Sequence, residues 1–428
     1  MVSPKNFAQP EPSLDGLPVE LKILILFQMP DSDTLKPLVH ASPAYHQAYL
    51  TVRHRVLGNV VERQYDESLD LVEALTAIRS KGMHFLYQEI ANQDEKVIFL
   101  LDVWRRRKEI RRLSQSSSNP LIEPDSLEET IKLLHFHKML CFLLEDFSIN
   151  AGRPSWIQPA EWENEHLPLQ LSPLEKRRFL RAMCRLQTLQ NIFGNFVCCL
   201  NYKNCDTCPD DSKNWLWGRF NPENDAIDFY AVKKQAYDLF YGTMPLWEHE
   251  EMGNVFYYLI SKTDEIAKDI ADDLQQFSKN TSCEYFGDSF HQPNKSPLWY
   301  YYWDILPEKL PAGVCQINIG GLAALGPEFL YRILHMDRLS RRDLVCLNTR
   351  DSWPEPFIRI GLRVSSEFPF IDPADQLEAP NFEQFWSTLS PLEQPNVGWK
   401  NAWLQPQNQG YNLENSMNQY RSIGDGWK

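Results

Sequence analysis

The sequence predicts a mainly α-helical protein with at most minor β-structure. Apolar residues recur at helical spacing in many segments, as at Leu69, Val72, Leu75 and Ile78. Several of these segments open on Ser-Pro or Ser-X-X-Glu, patterns that are typical of helix amino termini. Only one short strand is indicated, in the stretch "VCQINIGG". These observations favour a small amino-terminal three-helix bundle followed by a larger helical domain.

Length and composition limit the class of protein. The chain has 428 residues, which corresponds to roughly two to three domains of about 150 residues. It is 43% hydrophobic and contains 13 Trp, which argues against wholesale disorder. Its formal net charge of -14 disfavours a dominant nucleic-acid surface, which would be basic. No apolar run approaches the roughly 18 residues of a membrane-spanning helix. We therefore expect neither nucleic acid nor membrane as a partner.

The cysteines and the amino-terminal residues are used to predict the cellular compartment. The nine Cys are mostly scattered, which fits a reducing environment better than a disulfide scaffold. The start, "MVSPKNFAQPEPS", lacks the basic and apolar regions of a signal peptide. Residues 1–12 are predicted to be a disordered leader, and the predicted localisation is cytoplasmic or nuclear.

The first apolar segment, "LPVELKILILFQMP", runs from Leu17 to Pro30 and predicts a helix. Pro18 suits the first helical position, and the residue before Pro30 is biased away from helix. At 100° per residue, one face carries Leu21, Leu24 and Ile25, and the opposite face carries Ile23, Leu26 and Phe27. A helix that is apolar all round must be buried all round. Its second burial partner is either the rest of this chain or another protein.

Two more short helices are predicted after this segment. Asp31, Ser32 or Asp33 can cap the first of them. Ser42-Pro43 opens the second, in which Tyr45, Tyr49, Val52 and Val56 recur at helical spacing. Three short helices within about forty residues bury too little surface to be stable alone, and docking would stabilise them.

The pattern LP-x-EL-x-x-x-IL-x-x-MP from Leu17 to Pro30, followed by Asp33-X-Leu35 and an Ala41-Ser42-Pro43 turn, resembles the F-box. The resemblance covers about residues 14–56, a tenth of the chain, and defines a predicted F-box-like domain at 13–57. It is closest to the variant common in fungal proteins, in which Ser-Pro-X-Tyr replaces the usual Val-Cys-X-X-Trp. This departure lies at Ala41–Tyr45.

The resemblance implies a non-catalytic adaptor that recruits substrates to Skp-cullin-F-box ubiquitin ligases. Its amino-terminal helices would bind the Skp-family linker protein, and its carboxy-terminal domain would hold an unknown protein substrate. The resemblance implies seven partner-binding positions in this sequence: Leu17, Pro18, Leu21, Ile25, Leu26, Pro30 and Leu35. Some of them would face the linker protein, and others would face the F-box's own core. The alternative is a stand-alone helical interaction or scaffold protein whose F-box-like segment is packed internally. An enzyme with a cleft among its Tyr- and Trp-rich stretches is a third hypothesis.

The rest of the chain divides by composition. Residues 58–113 are predicted to be a helical connector, whose second helix, about 94–113, ends in the basic run "RRRKEIRRL". A solvated helix end is favoured for this run over a nuclear-import signal or a patch for an acidic partner. Residues 114–126 are Ser- and Pro-rich and predict a linker or exposed loop. Residues 127–428 predict a helical carboxy-terminal domain of unknown type, irregular from about residue 390.

Within that domain the helix signals are strong. Ser126 caps a helix to about Leu144, and Ser172 opens another. The expected buried stripe of the latter is Leu180, Met183, Leu186 and Leu189. A helix from Glu248 to about Phe277 has acid-rich ends, which we expect to be solvated rather than metal-binding. A further helix is expected at about 321–336. No repeat of 20 to 50 residues supports a repeat-type substrate arm.

The sequence contains few motifs that suggest a catalytic, metal-binding or phosphate-binding site. The stretch "CCLNYKNCDTC" contains a zinc-knuckle spacing, but its compactness favours a helix end and loop over a zinc site. Metal binding by these cysteines stays open: Cys198, Cys199, Cys205 and Cys208. "GGLAALGPE" lacks the features of a phosphate loop. Aromatic stretches at 215–220, 297–306 and 351–357 suggest either a binding surface or, as we favour, core. No catalytic residue and no cofactor is predicted.

Overall fold

The computed structural model describes residues 14–83, 93–113, 119–153, 157–194, 235–280, 299–303, 314–349 and 379–404. These residues are predominantly helical, which confirms the prediction of a mainly α-helical protein. The predicted leader at 1–12, the cysteine cluster at 198–208 and the aromatic stretches at 215–220 and 351–357 lie outside the described residues.

Three helices form the amino-terminal region: α1 (Val19–Phe27), α2 (Ser32–Ala41) and α3 (Pro43–Ser68). Asp31 caps α2, since its Oδ1 accepts a hydrogen bond from the Thr34 N–H at 2.7 Å. Ser42 caps α3 by accepting from the Tyr45 N–H at 3.4 Å. Both α1 and α2 pack against α3. Because α3 extends to residue 68, the domain boundary expected at residue 57 lies inside a helix.

The connector contains α4 (Leu71–Arg79), α5 (Gln93–Arg105) and α6 (Arg107–Leu113), so the single helix expected at 94–113 is interrupted. Arg79 organises part of the segment expected to be a linker or exposed loop. Its guanidinium donates to the carbonyls of Pro120, Leu121 and Glu123 and pairs with Glu129 at 2.7 Å. This loop is therefore tied to α4 over its described part.

The long helices of the carboxy-terminal region are α7 (Leu127–Ile149), α8 (Pro173–Phe193) and α9 (Leu246–Asn280). Between α7 and α8 lie a helical turn, Pro159–Glu161, and a π-helical turn, Trp162–His166. The predicted capping box of α8 is present, with the Glu175 N–H donating to Ser172 Oγ and the Ser172 N–H to the Glu175 carboxylate. The helix packs against α3, α4, α7 and α9. All residues from 179 to 190 are buried, so α8 is a central helix rather than one with a single apolar stripe.

A two-stranded antiparallel hairpin contains β1 (Trp299–Trp303) and β2 (Val314–Asn318), with Trp299 opposite Asn318. Strand β2 lies where the sequence predicts a strand. It leads into α10 (Ile319–Ala323), α11 (Gly326–Leu334) and α12 (Arg338–Thr349). The single helix expected at 321–336 is broken at Gly326, whose φ is +90°. Beyond residue 349 the described residues form α13 (Ala379–Ser387) and α14 (Val397–Leu404), and α14 lies in the stretch expected to be irregular.

One continuous apolar core joins the helices from α1 to α12. Its buried members extend along the chain from Leu26 in α1 to Val345 in α12. The amino-terminal helices contribute Leu26, Leu35, Val39, Tyr45 and Val56. The F-box-like region therefore shares its core with the rest of the described chain. Among the described helices, none combines the length and apolarity needed to span a bilayer.

Candidate docking surface and charged cavity

Helix α1 turns one apolar face to solvent and the other to the core. Four large apolar side chains on and before α1 are substantially exposed: Leu14 (64%), Val19 (49%), Leu21 (44%) and Leu24 (57%). On the opposite face, Leu26 is only 1% exposed and Ile23 packs against the core. We call the exposed side chains of Leu14, Pro18, Val19, Leu21 and Leu24 the α1 face. Leu21 and Leu24 lie about one turn apart on the same side of α1, and exposed apolar side chains grouped in this way are a feature of interaction sites.

Helix α3 holds both ends of α1. Before α1, a 3-10 turn at Leu14–Gly16 brings the Asp15 carboxylate to the Ser42 hydroxyl, which donates a hydrogen bond to it. After α1, the Asn59 side-chain amide donates to the Phe27 carbonyl at 2.8 Å, and Arg63 donates to the Met29 carbonyl at 3.3 Å. These contacts fix the orientation of α1, so the α1 face is presented on a supported helix rather than on a loose terminus.

The residues predicted to bind a partner fall into two groups. Pro18, Leu21 and Pro30 are exposed, and Leu17 and Ile25 are half-buried. Leu26 and Leu35 are 1% and 3% exposed and belong to the chain's own core, so in this conformation they are not available to a partner.

Sequence reasoning left three exposed residues out of the predicted site. Leu14 and Val19 lie beside Leu17 and Pro18 in the chain, and Leu24 lies one turn after Leu21. The helical wheel already placed Leu24 on the same face as Leu21, so that signal was sufficient to include Leu24. For Leu14 and Val19 the sequence offers no comparable signal, because their exposure depends on how the preceding turn packs against α3.

A second candidate site is built on buried charge. Three arginines of α8 face the acidic residues of neighbouring helices: Arg178, Arg181 and Arg185. Glu248 of α9 pairs with Arg181 at 2.8 Å and with Arg185 at 2.6 Å. Glu251 pairs with Arg181 at 2.5 Å and with Arg178 at 3.4 Å. We call these five residues, together with Glu73 and Arg107, the ionic cluster.

Glu73 of α4 lies at the centre of the ionic cluster and is 1% exposed. Its carboxylate accepts from Arg185 at 2.8 Å, from Arg107 at 3.1 Å and from Trp104 Nε1 at 2.8 Å. Burial raises the pKa of Glu73, but the charges and hydrogen bonds of Arg185 and Arg107 outweigh burial and lower it to about 2. Glu73 is therefore ionised at neutral pH despite its burial.

The ionic cluster corrects two expectations. Glu248 and Glu251 were expected to be solvated, but they are 6% and 7% exposed. Their burial is explained by Arg181 and Arg185, which supply the counter-charges that a buried carboxylate requires. The basic run "RRRKEIRRL" was expected to be a solvated helix end, yet Arg107 within it has a side chain only 15% exposed, paired with Asp70 and Glu73.

A cavity of about 820 Å³ opens over the ionic cluster. It lies between the end of α3, the beginning of α4, α6, α8 and the segment around residues 385–393. Its cationic lining residues are Arg105, Arg107, Lys108, Arg111, Arg177, Arg181 and Arg185. Its acidic lining residues are Glu62, Asp66, Asp70, Glu73, Glu248 and Glu393. The volume lies within the range of roughly 300–1,000 Å³ that is usual for ligand pockets.

The described residues include one arrangement of side chains that a nucleophilic enzyme would use. His137 Nε2 lies 3.1 Å from Ser68 Oγ, and its Nδ1 lies 3.6 Å from Cys141 Sγ. The Ser68 hydroxyl, however, donates to the Gln64 carbonyl, and burial raises the pKa of the Cys141 thiol. A protonated thiol is a poor nucleophile, so this cluster does not support covalent catalysis. Within the described ranges, no group of three or more His, Cys, Asp or Glu is arranged to hold a metal ion.

The chain was compared with known proteins at three levels. Models of protein families, curated proteins and solved structures all gave no match. We therefore interpret the α1 face and the charged cavity from the residues of this chain alone.

Proposed function

We propose that this chain is a non-catalytic adaptor of the F-box type, resident in the cytosol or nucleus. It docks through the α1 face onto the Skp-family linker protein of a cullin-based ubiquitin ligase and holds a protein substrate with its carboxy-terminal region. The observation that carries the proposal is the exposure of Pro18, Leu21 and Leu24 on a helix whose other side is buried in the chain's own core.

The energetics of exposed apolar side chains support docking at this face. Burial of one Val or Leu side chain contributes roughly 1.5–3 kcal/mol, before the unfavourable entropy of association. The α1 face carries four such side chains, Leu14, Val19, Leu21 and Leu24. A supported helix also loses less conformational entropy on binding than a disordered peptide does. A partner with an apolar groove therefore gains affinity from both effects.

The test is a binding measurement between the purified full chain and a recombinant Skp-family linker protein. We expect a stable complex with the unmodified chain and loss of at least tenfold in affinity for the double variant Leu21→Glu/Leu24→Glu, because charged side chains oppose burial at the interface. Both positions are exposed, so the melting temperature of the variant should remain that of the unmodified chain.

The matched control is the double variant Leu339→Glu/Val397→Glu. Leu339 in α12 and Val397 in α14 are 63% and 72% exposed, so the control adds the same charge to two other exposed apolar positions. It should bind as tightly as the unmodified chain. The proposal fails if the unmodified chain does not bind the linker protein, or if both double variants weaken binding equally.

The second candidate function is a stand-alone scaffold whose F-box-like segment is packed internally. It is favoured by the continuous core that runs from α1 to α12 and includes Leu26, Leu35 and Tyr45. The two functions differ in the role of the α1 face, since a scaffold without a linker partner has no need of it. The same Leu21→Glu/Leu24→Glu variant distinguishes them.

A further inference from the structure

We propose that the cavity above the ionic cluster is a binding site for a small organic anion carrying phosphate or carboxylate groups. The site is separate from the α1 face, since the residues that line the cavity begin at Glu62 in α3 and include none from α1 or α2. It also gives a role to the basic run at the end of α5 and in α6.

The basic run forms one side of the cavity. Arg105, Lys108 and Arg111 are spaced three residues apart along α5 and α6, and all three line the cavity. Their side chains are 32%, 55% and 46% exposed, so the cations reach solvent within the opening. Below them, Arg181 and Arg185 line the same cavity with side chains only 4% and 3% exposed. The cavity thus has cations both at its edge and at its base.

The carboxylates near these cations are already engaged. Asp70 accepts from the Val72 N–H at 3.1 Å, from Arg107 at 2.9 Å and from Arg111 at 2.5 Å. Glu393 accepts from Ser390 and pairs with Lys108. Glu73 and Glu248 are each shared between arginines of the ionic cluster. Each of these four carboxylates is thus already paired with at least one arginine or lysine of the cavity wall.

The cations at the edge retain donor capacity. A guanidinium group has five N–H donors. Among the described residues, Arg111 donates only to Asp70, and the nearest carboxylate to Arg105 is Asp102 at 3.6 Å, beyond hydrogen-bonding distance. Burial lowers the pKa of Lys108, and the like charge of Arg107 acts in the same direction. An anion bound between these side chains would use the spare donors and relieve the repulsion.

Glu62 and Asp66 make the α3 side of the cavity acidic, whereas its α6 side is basic. Both lie on α3, line the cavity and are exposed. An anionic group placed close to α3 is repelled by them, whereas a hydroxyl group of the ligand can donate a hydrogen bond to them. The site therefore takes an anionic group on the side of α6 and donor groups on the side of α3.

The test is calorimetric titration of the full chain with sodium tripolyphosphate and, in a second arm, with sodium citrate, both at pH 7 and constant ionic strength. We expect saturable one-to-one binding of at least one probe. Binding of tripolyphosphate alone identifies phosphate as the preferred group, and binding of citrate alone identifies carboxylate. The dissociation constant should rise at least tenfold in Lys108→Gln/Arg111→Gln and should fall in Asp66→Asn, which removes a repelling charge.

The matched control is Arg106→Gln/Arg112→Gln, which removes two positive charges from the same basic run at exposed positions that do not line the cavity. It should leave the dissociation constant within about twofold, the change expected for screened surface charges. Arg105→Gln provides a second cavity variant that leaves the Asp70 and Glu393 pairs intact, and it should weaken binding severalfold. The proposal is overturned if neither probe binds saturably, or if the control weakens binding as much as the cavity variants do.

Discussion

Glu73 is 1% exposed and ionised, because Arg107 and Arg185 lie within 3.1 Å of its carboxylate. Removal of one partner from a buried pair costs about 3–5 kcal/mol, since the remaining charge is left without compensation. Replacement of a whole buried cluster by apolar residues of similar volume is often neutral. We therefore expect the ionic cluster to specify how α4, α8 and α9 are arranged more than it adds net stability.

At the residue scale, we predict that His249 makes the free energy of unfolding depend on pH. Burial lowers its pKa to about 4, while its Nε2 donates to the Tyr241 carbonyl at 2.7 Å. Because the unfolded histidine has a pKa of about 6.5, the folded state binds the proton less well. The associated stability is complete above pH 6.5 and is lost as the pH falls towards 4. We expect this loss to be about 3 kcal/mol.

The measurement is urea unfolding of the full chain and of His249→Gln between pH 7 and pH 4. The glutamine amide can still donate to the Tyr241 carbonyl but does not titrate. The difference in unfolding free energy between the two proteins should therefore change by about 3 kcal/mol across this range. A pH-independent difference would show that His249 is not buried in its neutral form. Glu73, whose pKa is about 2, titrates in the folded protein below this window.

At the element scale, helix boundaries follow local signals where the signal is strong. The capping box at Ser172 and Glu175 and the Ser42-Pro43 turn both start helices where expected. The break between α10 and α11 was not expected, although Gly326 is visible in the sequence. Its Cβ position lies 3.1 Å from Gln187 Oε1 and 3.3 Å from Gln190 Cβ, so α8 approaches the backbone there.

The variant Gly326→Ala tests whether the break between α10 and α11 requires glycine at residue 326. We expect a loss of about 1–2 kcal/mol from the left-handed backbone conformation at φ +90°, with a further loss from the contact with Gln187. The control is Gly82→Ala, which has a similar φ of +82° but open space around its Cβ position. Chemical denaturation of both variants measures the difference. Equal losses would mean that the side chain of Gln187 moves aside freely.

At the scale of the whole molecule, the amino-terminal helices share an apolar core with the other described helices, and we expect the two parts to unfold together. Helix α3 crosses the expected boundary at residue 57, and its Tyr65 hydroxyl donates to the Leu133 carbonyl of α7 at 2.8 Å. Lys138 of α7 also pairs with Asp33 of α2 at 3.0 Å. The helices α2 and α3 therefore contact α7 directly.

Deletion of residues 1–57 tests whether the rest of the chain can fold without the amino-terminal helices. The deletion cuts α3 and removes the core residues Leu26, Leu35 and Tyr45, so we expect the 58–428 fragment to lose cooperative unfolding and to aggregate. The measurement is thermal unfolding followed by circular dichroism, together with size-exclusion chromatography. A monomeric fragment with a sharp transition would show that the amino-terminal helices form a separable domain.

The sequence by itself determined the mainly helical class, the starts of several helices and the two-sided apolar character of α1. These properties depend on residues within one or two turns of each other, so periodicity and capping reveal them. Even the division of α1 into a face with Leu21 and Leu24 and a face with Leu26 follows from its helical period.

Only the tertiary structure decided which face of α1 is covered and how the charges are paired. The partners of Arg185, Glu73 and Glu248, lie 112 and 63 residues away in the chain. No local pattern distinguishes a glutamate that will meet a buried arginine from one that will meet water. The charged cavity arises from these pairings, because its walls come from helices that approach one another only when the shared core forms.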